Sequence, residues 1–100
     1  SLVTFQAQLH ALRELLSDHD GPVILAGDLN TWSARRQAMV DDFTRAHGLG
    51  SITFEPDLRT TAFGYALDHI YVRGLQARDA RVIPVSSSDH NPLRVSLAIL

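Results

Sequence analysis

The apolar positions Leu2, Phe5, Leu9, Leu12 and Leu16 fall at steps of three and four, which puts one stripe along one face of a helix over residues 2–17. The breaker cluster His19-Asp20-Gly21-Pro22 ends that helix. Val23-Ile24-Leu25-Ala26 follows as a short, continuous, branched run of the kind that forms a strand buried on both faces. A helix feeding a buried strand predicts a layered α/β arrangement. Ser33 is placed to cap a second helix over 33–47, with Met39, Phe43 and Ala46 inward and Gly48 suited to its C-terminal end. Beyond it the pattern predicts a short strand over 51–54, a loop over 55–61, a strand over 67–73, a turn at Gly74 and a weaker strand over 80–85. Leu93, Val95, Leu97 and Ile99 then alternate, so the last strand has one apolar face. No repeat, low-complexity tract or internal boundary interrupts residues 1–100, which read as one unit.

Polar clusters break this pattern at the strand ends. Gly27-Asp28-Leu29-Asn30 directly follows the first strand, Asp68 opens the 67–73 strand, and Ser88-Asp89-His90-Asn91-Pro92 directly precedes the last. If the chain stays extended past Ala26, Asp28 and Asn30 project to one side. A carboxylate there can accept a proton or position a water, and an amide can donate to a phosphoryl oxygen. The competing reading is a side-chain-bonded turn that leads into the next helix. Asp68 shares its strand face with Ile70 and Val72, where an acid is costly without a partner. His90 is the candidate, since a carboxylate can fix an imidazole tautomer and favour its protonated form; His69 points to the other face. The alternative for Asp68 is a strand-end acid facing solvent.

Pro92 biases Asn91 toward extended backbone, which lets Asp89 and His90 diverge, one toward a hard cation and the other toward a phosphate. Arg35 and Arg36 lie in the first turn of the second helix, where positive charge opposes the helix dipole by ~0.3–1 kcal/mol each. They read either as phosphate ligands or as a solvated pair. Trp32 reads as a wall of a substrate groove or as a cover for the helix start.

Composition narrows the classes. One hundred residues with 45% apolar content make one small folded domain rather than a disordered segment. No apolar run approaches the ~20 residues of a membrane span, and nothing resembles a signal peptide. The sequence starts at Ser1 with no methionine nearby, so a fragment or processed product is expected. The absence of cysteine excludes disulfides, thiolate metal sites and a cysteine nucleophile in this segment but leaves the compartment open, with a cytoplasmic setting favoured. Net charge is −2, and without Asp28, Asp68 and Asp89 eight acids face nine arginines, so the body has no broad attraction for nucleic acid. A serine hydrolase does not fit: there is no Gly-x-Ser-x-Gly elbow, and Ser86, Ser87 and Ser88 adjoin Asp89 and His90 in sequence.

In this order, Gly27-Asp28-Leu29-Asn30-Thr31-Trp32-Ser33, Phe63-Gly64, Leu67-Asp68 and Ser88-Asp89-His90-Asn91-Pro92-Leu93 resemble the C-terminal half of the endonuclease/exonuclease/phosphatase superfamily. That group includes DNase I, abasic-site endonucleases, inositol polyphosphate phosphatases and sphingomyelinases, and the likeness is closest to its uncharacterised bacterial members. The resemblance implies half of a DNase I-like four-layer α/β sandwich, with one mixed sheet covered by helices on one face. It implies in-line attack of water on a phosphate ester with Mg²⁺ or Mn²⁺. Asp28 and Asn30 would be the acid/base and the phosphate-orienting amide, and Asp68 would pair with His90. Asp89, with Asp28, would support the metal, and His90 would contact the scissile phosphate.

The family's first half supplies a metal-binding glutamate, a polar residue beside it and a mid-domain histidine or tyrosine, and no segment here corresponds to them. The chain is therefore expected to be inactive without that N-terminal half. Its uncovered sheet face is expected to pair with a second copy as a homodimer. Nucleic acid, sugar phosphate and lipid head group all share the phosphate that this chemistry needs. A noncatalytic module that binds a phosphorylated ligand or a protein on the same fold is the competing class.

Overall fold

The computed structural model describes residues 1–100. Helix α1 (Leu2–Leu16) starts at Ser1, whose Oγ accepts from the Thr4 N–H at 3.3 Å. Helix α2 (Ala34–Ala46) starts at Ser33, whose Oγ accepts from the Arg36 N–H at 3.2 Å, so in both helices a serine satisfies an otherwise orphaned donor. Seven strands complete the chain: β1 (Val23–Asp28), β2 (Gly50–Ser51), β3 (Thr61–Ala62), β4 (Tyr65–Ala66), β5 (Asp68–Arg73), β6 (Leu75–Val82) and β7 (Leu93–Ile99).

The α/β class is as the sequence predicts, but the expected single mixed sheet is not. All pairings are antiparallel and fall into three sheets, β1-β5-β2, β3-β4 and β6-β7. The last strand, expected in one sheet with the 23–26 and 67–73 strands, pairs with β6 in a separate sheet instead. β6 itself runs over Leu75–Val82 rather than 80–85, and a bulge hides it from a search for alternation. Asp79, at φ 54°, is an extra residue where the register shifts, so the inward positions are Leu75 and Ala77 before it and Ala80 and Val82 after it. The β3-β4 hairpin, read as loop and unassigned chain, turns on Phe63 and Gly64 at φ 53° and 84°, the double positive pair of a tight hairpin.

β5 divides the core because its side chains alternate between faces. Tyr71 packs on the helical side with Phe5, Val40, Phe43 and Leu49, joined by Val23 and Leu25 of β1. Ile70 packs on the other side with Ile52, Phe54 and Val82, joined by Val72, Leu93 and Val95. The β6-β7 ribbon thus covers much of the face expected to be bare. β1 does not benefit: Ile24 is 56% exposed and Ala26 is exposed, so this strand is buried on one face and not on both. Arg73 fastens the far end, donating to the His47 carbonyl at 2.9 Å and the His19 carbonyl at 2.8 Å. No helix is long and apolar enough to cross a membrane.

Candidate active site at the end of the β1-β5 ladder

The antiparallel register sets Asp28 directly opposite Asp68 as the last pair of the ladder, on the face that carries Ile24, Ala26, Ile70 and Val72. Opposed residues have Cβ atoms ~4.5–5.5 Å apart, and like charges so placed destabilise a sheet unless a cation or a proton intervenes. β1 leaves its regular pleat one residue earlier, at Gly27. Its φ is 142°, and a Cβ there would meet no atom within 4 Å, so the backbone conformation and not space calls for glycine.

His90 closes the end of the ladder. Its Nδ1 lies 2.7 Å from Asp68 Oδ2 and its Nε2 lies 3.9 Å from Asp28 Oδ2. One ligand atom from each of the three residues falls within 4.8 Å of the others. The Asp68 side chain is 14% exposed against 41% for Asp28 and 38% for His90, so Asp68 is the anchored member and the other two face solvent. The hydrogen bond to Asp68 raises the His90 pKa, helped by the charges of Asp68, Asp28 and Asp89, and favours an imidazolium with a proton on both nitrogens. Ala26, Asp28, Asp68, Ile70, His90 and Pro92 contribute to the walls of an open cleft of about 510 Å³.

The remaining predicted residues sit differently. Asn30 has φ 55° and its N–H donates to Asp28 Oδ1 at 2.9 Å, so the chain turns at this point instead of staying extended. One Asp28 oxygen is held by that turn and the other faces His90. Asp89 is exposed and lies outside the three-residue cluster; its backbone carbonyl accepts from the Thr60 hydroxyl at 3.4 Å. Arg36 is not half of a solvated pair. It is 9% exposed, with its guanidinium 4.8 Å from the Phe5 ring centroid and 4.3 Å from that of Trp32, and it donates to the Asn30 carbonyl at 3.4 Å. Trp32 covers the helix start through this stack and touches Phe63 at 6.0 Å between centroids, while Arg35 is exposed. Asn30, Trp32, Arg35, Arg36 and Asp89 do not line the cleft.

On the opposite face His69 is a structural knot. Thr31 Oγ1 donates to the Ala66 carbonyl at 2.7 Å, so it must accept from His69 Nε2, also at 2.7 Å. His69 Nδ1 is then the acceptor for Arg59 Nη1 at 3.3 Å and the Tyr71 hydroxyl at 3.4 Å. Burial, followed by the charge of Arg59, lowers the His69 pKa and keeps the ring neutral. Arg59 is itself gripped by Asp57 through contacts of 2.9 and 2.8 Å, which hold the Asp57 carboxyl below its ordinary range, and it donates to the Asp68 carbonyl at 3.0 Å. Arg59 and Thr60 were not among the expected site residues, and Asn91 entered only for the extended backbone that Pro92 favours. An acid two residues before an arginine inside a loop is the one signal that could have pointed to Arg59.

The sequence pattern of the endonuclease/exonuclease/phosphatase family matches residues 1–90. The chain is 45% identical over 97 residues to a UPF0294 protein of Vibrio cholerae serotype O1, covering 96% of this chain and 34% of that protein. It is 44% identical over 91 residues to UPF0294 proteins of Yersinia enterocolitica and Yersinia pestis, covering 91% of this chain and 35% of each. The chain thus spans about a third of the length of the curated relatives it matches. No solved structure matches it.

Proposed function

Since the chain belongs to the endonuclease/exonuclease/phosphatase family, we propose that it carries the Asp-Asp-His part of the active site of a divalent-metal-dependent phosphate-ester hydrolase. The observation that carries this reading is the opposed Asp28 and Asp68 carboxylates with the His90 ring between them, at the mouth of a cleft. In this reading Asp68 accepts from His90 Nδ1 and fixes the ring. The Nε2–H is then free to donate to a phosphoryl oxygen, whose developing charge it stabilises. Asp28 Oδ2 is exposed and unengaged by the turn, so it can take a proton from the attacking water.

The donor set fits a hard cation. Mg²⁺ takes oxygen ligands, commonly one or two carboxylates with waters and substrate phosphate making up the rest, and Asp28 and Asp68 bring two carboxylate oxygens within 4.8 Å of one another. His90 Nδ1 is already engaged by Asp68 at 2.7 Å, so the carboxylates would hold the ion. When bound, Mg²⁺ or Mn²⁺ supplies charge neutralisation to the phosphate and the leaving oxygen. The remaining site groups come from the part of the longer protein that completes the domain, with β1's open face as its seat.

The test uses the full-length protein with bis(4-nitrophenyl) phosphate and Mg²⁺ or Mn²⁺. His90→Ala should lower turnover by ~10²-fold or more, the usual scale for a general acid or base. An unchanged rate removes His90 from the chemistry. Saturable binding of inorganic phosphate with no turnover of any phosphomonoester or phosphodiester would favour the noncatalytic module instead.

A further inference from the structure

The loop that carries His90 has little of its own to hold it. Residues 86–90 are bends with no ladder pairing, and the loop is closed on itself by the Val85 N–H donating to Asn91 Oδ1 at 3.1 Å. Apart from the His90 contacts with Asp68 and Asp28, its polar ties to the rest of the chain run through residues 58 and 60. Asn91 Nδ2 donates to the Leu58 carbonyl at 2.8 Å. The Thr60 hydroxyl accepts from the Asn91 N–H at 3.0 Å and donates to the Asp89 carbonyl at 3.4 Å. One hydroxyl therefore spends its proton and a lone pair on the backbone groups on either side of His90.

The same three-residue segment holds the other partner. Arg59 Nη1 donates to the Asp68 carbonyl at 3.0 Å, and the Thr60 carbonyl accepts from the Leu67 N–H at 3.1 Å. Asp57 grips the Arg59 guanidinium from the far side. We propose that residues 58–60 are a bracket that sets the distance between Asp68 and His90, with Thr60 as the positioning residue that orients the His90 ring. Thr60 acts only through the loop it holds. Its place in catalysis rests on the proposed role of His90, whereas the orientation of the ring does not.

The hydroxyl is the part to remove. Thr60→Val keeps shape and branching and deletes both hydrogen bonds; Thr60→Ser keeps both and loses a methyl group. In full-length protein labelled with ¹⁵N-histidine, the Nδ1-bound proton of His90 should give a resolved downfield resonance in the wild type and in Thr60→Ser. In Thr60→Val it should broaden or vanish through exchange with water. If Thr60→Val does not fold, Thr60→Ala removes the same hydroxyl without added bulk and carries the same expectation. A wild-type His90 resonance without the hydroxyl overturns the bracket, as does equal loss in Thr60→Val and Thr60→Ser.

The kinetic arm follows from geometry. A misplacement of about 1 Å can cost ~10²-fold, so kcat should fall by ~10–10²-fold in Thr60→Val with KM little changed, and Thr60→Ser should restore it. If the protein proves not to hydrolyse phosphate esters, the resonance still decides the bracket. If it does hydrolyse them, a KM effect without a kcat effect overturns the positioning role.

Discussion

Asp68 and His69 are consecutive on β5 and belong to different worlds. Asp68 points to the open face, where it anchors His90 beside Asp28. His69 points to the helical side, where it is 4% exposed and tied to Thr31, Arg59 and Tyr71. The pKa values of the two histidines that meet this strand are shifted in opposite directions. His90 is raised by a carboxylate partner; His69 is lowered by burial beside a guanidinium. The same side chain is made an acid-ready donor or a neutral tie by which partner it meets, and strand alternation keeps the two apart. The His90 ring is open to solvent and the His69 ring is buried.

The largest test of this division is in rate. Asp28→Asn keeps a carbonyl oxygen for the Asn30 N–H, so the turn at the end of β1 should survive while the proton-accepting carboxylate is lost. In the full-length protein it should reduce turnover by ~10²-fold or more, with thermal unfolding close to wild type. His69→Ala should invert that profile. It strips partners from the Tyr71 hydroxyl and Thr31 and costs ~1–3 kcal/mol in denaturant unfolding. Its Michaelis-Menten parameters at low temperature should stay within a few-fold of wild type. A His69→Ala protein of wild-type stability but no turnover would move His69 to the chemical face and end the comparison.

A smaller effect is in pH. His69 is protonated more readily when unfolded, so its contribution to stability is present above its unfolded pKa of about 6.5 and is lost as pH falls from there through the lowered folded value. His90 has the opposite sign: its contribution is full below about 6.5 and is lost as pH rises through the raised folded value. Unfolding midpoints of wild type, His69→Gln and His90→Gln between pH 5 and 8 read both. The His69 variant should lose part of the acid-side decline and the His90 variant part of the alkaline-side decline. Parallel curves for all three would mean that neither ring is tuned as its contacts indicate.

The two faces were unequally legible in the sequence. Both helices and β7 lie within a residue or so of their predicted ends, because Ser1 and Ser33 cap, Gly48 at φ 68° terminates, and alternation in β7 is unbroken. The Asp68-His90 contact was legible because an acid on an apolar strand face demands a partner. Of the two readings of Asn30, the extended strand end is not what forms; the side-chain-bonded turn is, with Asn30 at φ 55°. Arg36 looked solvated because one of the two rings it lies between, Phe5, belongs to another helix and no local pattern records that contact. The hairpin at Phe63-Gly64 has strands too short to show a period, and Thr60 meets Asn91 across thirty-one positions of chain. Local chemistry and periodicity were readable; tertiary partners of single polar side chains were not.

The smallest expected effect concerns the part of the open face that the ribbon leaves bare. β1 is an edge strand of its sheet, with β5 on one side and nothing paired on the other, and Ile24 is 56% exposed on the face shared with Ile70. An unpaired edge and an uncovered apolar position both favour association. A twofold pairing through β1 would answer both with one contact, since the same patch then serves each partner. Because Ile70 and Val72 already pack under β6 and β7, the remaining apolar area is small and the dimer of the isolated 100-residue chain should be weak. Light scattering at concentrations well above micromolar should show a mass above 11.0 kDa that falls back on dilution, and Ile24→Glu should hold the chain at 11.0 kDa throughout. A wild-type chain that stays at 11.0 kDa across the series would show that β1's face needs no second copy, and would leave the completing part of the domain as its one proposed occupant.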